Sequence, residues 1–165
     1  MTAPVLVRLL QDAEGELVRA ADSVPDSLRD ATGFDSAAYI LAHATETHAG
    51  WILSSVGGGD ADPWLAEVYQ LQKQGRFEAS FDDARAALDR VLQRTAQLFA
   101  TLTDADLERP ASLPEDHRWH GAKNEYFVGR AIGHFFVHAA DLNGMAMRAG
   151  VDDIGLPGRM GHTRG

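Results

Sequence analysis

Apolar residues recur at the spacing of an α-helix in four long stretches of this chain, and Gly, Pro and polar residues separate these stretches. The stretches span about 4–21, from the residues after Gly33 to about 55, 81–102 and 123–149. Very little of the chain has the alternating pattern of a strand. Four long amphipathic helices with one long crossover predict an all-α fold, specifically a four-helix bundle.

Residues with strong positional preferences support these helix limits. Asp35 or Ser36 is a plausible N-cap for the second helix, and Ser80 with Asp83 resembles a capping box for the third. Gly150 is a typical helix-terminating residue. The crossover is expected to carry a short extra helix near 63–71, and 103–107 is expected to form one further turn. We predict a bundle domain over 1–154 and a flexible C-terminal tail over 155–165.

Composition excludes several classes of function. The chain has no cysteine, so disulfides, thiolate catalysis and cysteine-ligated metals are excluded. A net charge of −9 argues against nucleic-acid binding, which depends on Lys and Arg that neutralise phosphates. No signal peptide and no apolar run of roughly 20 residues are apparent, so we expect a cytoplasmic protein without a membrane partner.

The histidines carry the clearest chemical signal. His134 and His138 lie about 40° apart on one face of the fourth helix, and we expect that face, with Phe127 and Ala131, to point into the core. Unpaired imidazole groups in a core cost roughly 1–3 kcal/mol each, so these rings need partners. Backbone carbonyls, hydroxyls or buried water could satisfy them. A divalent metal is the sharper alternative, because His43 of the second helix could supply a third ligand.

Two common metalloenzyme motifs are absent. Phe135 follows His134, so the zinc-protease pattern H-E-x-x-H fails, and no paired Glu-x-x-His motifs of di-iron bundles are present. Without cysteine, a site would use His, Asp or Glu, which suits zinc, nickel, iron or manganese better than copper(I).

Two segments carry a resemblance to a known family. Residues 41–48 (LAHATETH) and 133–138 (GHFFVH), in that order and with an intervening Leu-Thr-Asp turn at 102–104, resemble the DinB/YfiT-like superfamily. Trp64 in the acidic connecting segment is also similar to the family. The likeness extends to about Gly150.

This resemblance implies a four-helix bundle that holds a divalent metal through three histidines. On this chain the ligands would be His43, His134 and His138, with zinc or nickel as the metal. Some relatives are transferases or isomerases that use low-molecular-weight bacterial thiols, and many have no assigned activity. The resemblance therefore implies a possible small-thiol cosubstrate.

Two positions depart from the family pattern. Asp35 stands where the family usually has an aromatic residue, and Asp141 stands near a position where many members carry His or Gln. Asp141 is about 20° from His134 around the helix, so we expect it to face the same interior. It could orient an imidazole, act as an added ligand or serve as a general base. A solvent-facing aspartate near the helix end is the alternative.

Helix geometry and local sequence also predict the positions of other polar and aromatic residues. His48 is about 140° from His43, so we interpret it as a surface or helix-contact histidine. Glu46 is closer to the His43 face and could reach a substrate, although solvated glutamates are more common. His117 and His120 are interpreted as loop residues. Core or pocket-wall positions are expected for the large aromatic residues Trp51, Trp64, Tyr69 and Trp119.

Two hypotheses of function follow. The first is a metal-dependent enzyme for a small-molecule substrate, either a transferase that uses a low-molecular-weight thiol or a hydrolase that activates water. The second is a non-catalytic stress-response or binding module with a structural or vestigial metal site. Exposed apolar helix faces would also permit a homodimer.

Overall fold

A computed structural model describes residues 2–60 and 62–155 of the chain. Its helical elements, in chain order, are α1 (Ala3–Asp22), α2 (Asp26–Arg29), α3 (Ala37–His48), a π-helical segment (Ala49–Val56), α4 (Pro63–Lys73), α5 (Phe81–Phe99), α6 (Asp104–Glu108) and α7 (Asn124–Arg148). Within the described residues there is no strand, and one isolated bridge joins Pro110 to Lys123. The all-α prediction is confirmed.

Helices α1, α3 with its π-helical continuation, α5 and α7 pack as a bundle around an apolar interior. Helix α1 packs along α7, and α3 packs against both α5 and α7. Each helix contributes large apolar side chains that are fully buried, among them Leu10, Leu17, Leu41, Leu88, Phe135 and Leu142. Burial of each such side chain stabilises the fold by about 1.5–3 kcal/mol. Helix α4 lies in the long crossover between α3 and α5, where the sequence predicted a short extra helix.

Local capping explains where the helices begin and end. The Ser36 hydroxyl accepts a hydrogen bond from the backbone N–H of Tyr39 at 3.0 Å, which identifies Ser36 rather than Asp35 as the cap of α3. Helix α5 ends at Phe99, three residues before the predicted 102. The chain has to leave the helix there because Thr103 adopts extended dihedral angles as the N-cap of α6, in a full capping box with Asp106.

The sequence predicted one regular helix from the residues after Gly33 to about 55, but the second part of this stretch is not α-helical. From Ala49 to Val56 it is π-helical, a short element that sequence periodicity does not predict. The Ser55 hydroxyl donates to the Gly50 carbonyl and the Gly57 N–H donates to the Ile52 carbonyl, both across five residues. A Cβ at Gly57 would lie 2.8 Å from the Leu53 carbonyl oxygen, so the residue that ends the π-helical segment has to be glycine.

The last described residues are tied to the bundle. Arg19 of α1 donates to the Ile154 carbonyl at 2.8 Å, and the Asn143 amide donates to Asp153 at 2.9 Å. The bundle boundary at 154 remains a prediction, and residues 156–165 of the predicted flexible tail lie outside the described residues. None of the helices in the described ranges combines the length and apolarity that a bilayer span requires.

Candidate metal centre

Three histidines from two packed helices come together between α3 and α7. His43 lies in the middle of α3, and His134 and His138 lie one turn apart on α7. The ring centroid of His43 is 5.2 Å from that of each α7 histidine, and those two rings are 4.4 Å apart. One ring nitrogen from each residue lies within 4.8 Å of the other two. This group, hereafter the His triad, could therefore hold a metal ion.

The donor atoms of the α7 pair point at each other. The Nε2 atoms of His134 and His138 are 3.2 Å apart. Neutral imidazole carries its one proton on either nitrogen, and a cation is the partner that both Nε2 lone pairs can share. The Nδ1 atom of His134 is buried without a hydrogen-bond partner among the described residues. The donor set and its geometry fit a divalent ion that prefers imidazole.

The protonation state also fits metal binding. Burial, together with the neighbouring His138, His43 and Arg130, lowers the pKa of His134 to about 3. Burial, and then His138, also lowers the pKa of His43. Both rings are therefore neutral near pH 7, and the neutral form is the one that ligates a metal.

Asp141 lies on the outer side of the triad, which corrects the expectation that it faces the interior. Its side chain is 50% exposed, and its Oδ2 lies 3.0 Å from the Nδ1 atom of His138. The reason is that the buried stripe of α7 runs through Ala131, Phe135 and Leu142, so the two histidines lie at its edge and are only half-buried. Asp141 is thus placed to accept a hydrogen bond from Nδ1 of His138, and the group that could hold an ion does not include Asp141.

An open cavity of about 730 Å³ adjoins the His triad. His43 forms part of its wall, and the Trp51 ring, whose centroid is 5.2 Å from that of His134, forms another part. Tyr69 and Trp119 also line the cavity, whereas Trp64 packs against the core. The cavity therefore has aromatic walls beside the possible metal ligands.

Polar residues in the cavity wall include Glu46 and His117. Glu46 lines it, and burial raises the pKa of this carboxyl, although Thr47 and Lys73 oppose the shift. His117, interpreted from sequence as a loop residue, lies in the 109–123 loop and lines the cavity too. His120 is exposed in the same loop.

Sequence reasoning missed two residues that shape this site. The guanidinium of Arg130 lies 4.9 Å from the Trp51 ring centroid, 4.8 Å from that of Trp119 and 5.6 Å from that of Tyr126. It thereby holds the 109–123 loop against the bundle by cation–π contacts. Tyr39 stacks on His43 at 5.8 Å. Both residues are four positions before a triad histidine, a helical spacing that could have revealed them.

His48 is buried at the contact between helices and does not join the triad. It is 1% exposed, its ring stacks on Phe135 at 4.4 Å, and its Nε2 lies 3.1 Å from Oε1 of Glu14. Neither of its ring nitrogens makes a hydrogen bond among the described residues, so the pairing with Glu14 is one of distance alone. Of the two interpretations from sequence, the surface position is wrong and the helix contact is correct.

Comparison with known proteins agrees with this arrangement. A family model described as the DinB superfamily matches residues 9–141, a range that covers well over half of the chain and contains the His triad. Comparison with the curated proteins gives no match. With the family pattern and the three histidines on one bundle, this chain belongs to the DinB superfamily.

Proposed function

We propose that this chain is a divalent-metal-dependent enzyme that acts on a small molecule. The observation that carries the proposal is the convergence of three ring nitrogens beside an open cavity of about 730 Å³. Cavities of this size typically hold small-molecule ligands and cofactors. Three protein ligands are also the usual number at catalytic zinc sites, where a further position is kept for water or substrate.

The expected metal is zinc or nickel. Imidazole ligands suit both ions, and no cysteine of this chain could favour a softer metal. When bound, such an ion is a Lewis acid that lowers the pKa of a thiol or a water and so supplies a nucleophile at neutral pH.

The chain's own residues would orient the ligands and manage the proton. Asp141 accepts from Nδ1 of His138, which turns the Nε2 lone pair toward His134. We assign the role of taking a proton from the nucleophile to Glu46, a carboxyl of the cavity wall whose pKa is raised by burial. Trp51 and the loop residue Trp119 would exclude water from one side of the reacting groups.

We favour thiol transfer over hydrolysis as the reaction. The family resemblance supports it, because some relatives use low-molecular-weight thiols. Since the chain has no cysteine, any sulfur nucleophile has to come from a cosubstrate. The cavity volume of about 730 Å³ lies within the range of small-molecule sites in proteins.

Cobalt substitution tests this function. Cobalt-loaded protein should show an absorption spectrum that changes when a small thiol is added, and zinc- or nickel-loaded protein should turn over one of a panel of thiols with electrophiles. Glu46→Gln should slow turnover while the metal content stays constant. An absorption spectrum that does not change when thiols are added, together with no turnover of electrophiles or esters, would identify a structural metal in a non-catalytic binding module.

A further inference from the structure

Two cations in the cavity wall make no ion pair with a carboxylate, although seven basic residues elsewhere in the described chain do. Those seven are Arg19, Arg29, Arg76, Arg85, Arg90, Arg109 and Lys123. Lys73 and Arg118 make no ion pair with any described residue. Instead the Nζ of Lys73 lies 4.3 Å from the Tyr69 ring centroid, and the guanidinium of Arg118 lies 4.0 Å from that of Trp119.

This arrangement makes the cavity locally positive in a chain whose net charge is −9. Lys73 comes from the last turn of α4 and Arg118 from the 109–123 loop, and both line the cavity. The carboxyl of the cavity wall is Glu46. A guanidinium that stacks on an aromatic ring keeps its N–H groups free for a planar anion such as a carboxylate.

A third donor lies beside these cations. The Nε2 atom of Gln72 is buried and has no hydrogen-bond partner among the described residues, and Gln72 lines the same cavity. An unpaired buried donor is costly, and an acceptor brought by a ligand would satisfy it. The wall thus offers three donors with unused capacity, and Trp51 and Trp119 add ring surface that Arg118 and Arg130 cover in part.

We propose that this cavity binds an organic carboxylate with a flat apolar body. Its carboxylate contacts Lys73 and Arg118, with Gln72 as an additional donor, and its ring lies against the tryptophans. This inference rests on the proposed function, because the carboxylate would be the substrate of that enzyme. The end of the ligand remote from its carboxylate would face His43. The anion contacts themselves need no metal.

Binding of 3-phenylpropionate and of its neutral isostere 3-phenylpropionamide, measured by calorimetric titration, tests the proposal. Wild-type protein should bind the carboxylate about tenfold or more tightly than the amide. Lys73→Gln and Arg118→Gln should each weaken carboxylate binding by about tenfold and leave amide binding unchanged. The control Arg8→Gln, an exposed cation on α1, should change neither.

Each titration is run on chelator-treated protein and on zinc-loaded protein. The two samples distinguish a failure of this inference from a failure of the proposed metal-dependent function. If carboxylate binding still depends on Lys73 and Arg118 after chelation, the result supports the anion site, even if the protein has no enzymatic activity. Equal binding of the carboxylate and the amide, or no measurable binding of either, would overturn it. Carboxylate binding that requires zinc and ignores both substitutions would also overturn it, and the metal-dependent function would stand.

Discussion

The Nδ1 atom of His138 lies 3.0 Å from Oδ2 of Asp141, three residues further along α7. In a neutral imidazole this contact places the proton on Nδ1 and leaves the Nε2 lone pair free, and Nε2 is the atom that faces His134 at 3.2 Å. Carboxylates hold metal-ligating histidines in the same way in many sites. An exposed carboxylate thus orients a half-buried ligand of the His triad.

Replacing Asp141 should weaken metal binding without unfolding the protein. Asp141→Ala removes the acceptor that fixes the His138 tautomer, and loss of such a partner typically costs 10–100-fold in metal affinity. Because the side chain is 50% exposed, the helix content should be unchanged. Competition with a zinc chelator gives the affinity, and circular dichroism gives the fold.

The matched control is Asp116→Ala, an exposed aspartate in the 109–123 loop. It removes the same charge away from His138 and should leave zinc affinity as in wild type. Equal losses in both variants would mean that net charge, rather than the contact with His138, is responsible.

Removing His138 should abolish tight metal binding while the bundle persists. The apolar interior formed by residues such as Leu17 and Leu142 carries most of the stability, and His138 lies at its edge. We expect His138→Ala to lose most bound metal, measured by elemental analysis, with an unchanged far-ultraviolet dichroism spectrum. His120→Ala, in the exposed loop, should retain its metal. Equal metal occupancy in the two variants would contradict the assignment.

Metal-free protein should lose stability in acid partly through His134. Its pKa is about 3 in the folded chain, because of burial and the neighbouring basic groups, against 6.5 for a free histidine. Between these values the unfolded chain binds more protons, so the free energy of unfolding falls as the pH decreases from about 6.5 toward 3. Above pH 6.5 this contribution to stability is fully present.

His134→Gln removes this linkage, so its unfolding free energy should decline less steeply over that pH range than in wild type. Urea unfolding of chelator-treated protein at a series of pH values measures the two slopes. His120→Gln serves as the reference for an exposed histidine and should keep the wild-type slope. A slope that His134→Gln leaves unchanged would show that this ring does not resist protonation in the folded state.

The buried contact between Glu14 and His48 should matter for stability rather than for metal binding. The Thr95 hydroxyl reaches Oε1 of Glu14 at 3.2 Å as well as the Leu92 carbonyl at 3.0 Å, so Glu14→Ala removes one of its two acceptors and the carboxylate beside the buried His48 ring. We expect the free energy of unfolding to fall by about 0.5–1.5 kcal/mol, measured by urea denaturation. Glu67→Ala, an exposed glutamate on α4, should change it little. Wild-type stability in Glu14→Ala would show that this contact contributes nothing.

Much of the fold follows from the sequence because long helices leave a strong periodic signal. The last helix was predicted over 123–149 and spans Asn124–Arg148, since Gly150 and the preceding polar linker mark its limits. The π-helical segment was not predicted, because one additional residue per turn does not alter the local composition. The four-residue helix α2 is likewise too short to leave a periodic signal.

The candidate site was predictable in its histidines and less so in its surroundings. His134 and His138 share a face by helical geometry alone, but their meeting with His43 depends on how α3 packs on α7. The predicted orientation of Asp141 was wrong, because helical geometry gives the angle between two residues but does not show which face of the helix is buried. Lys73 and Arg118 gave no signal, since their shared cavity depends on tertiary contacts.

X-ray absorption of zinc-loaded protein tests the central claim most directly, because it counts the imidazoles around the ion. We predict about one zinc per chain with three imidazole ligands, falling to two ligands or to no bound zinc in His43→Ala. A shell of oxygen ligands without three imidazoles in wild type, or an unchanged shell in His43→Ala, would contradict a shared site between α3 and α7.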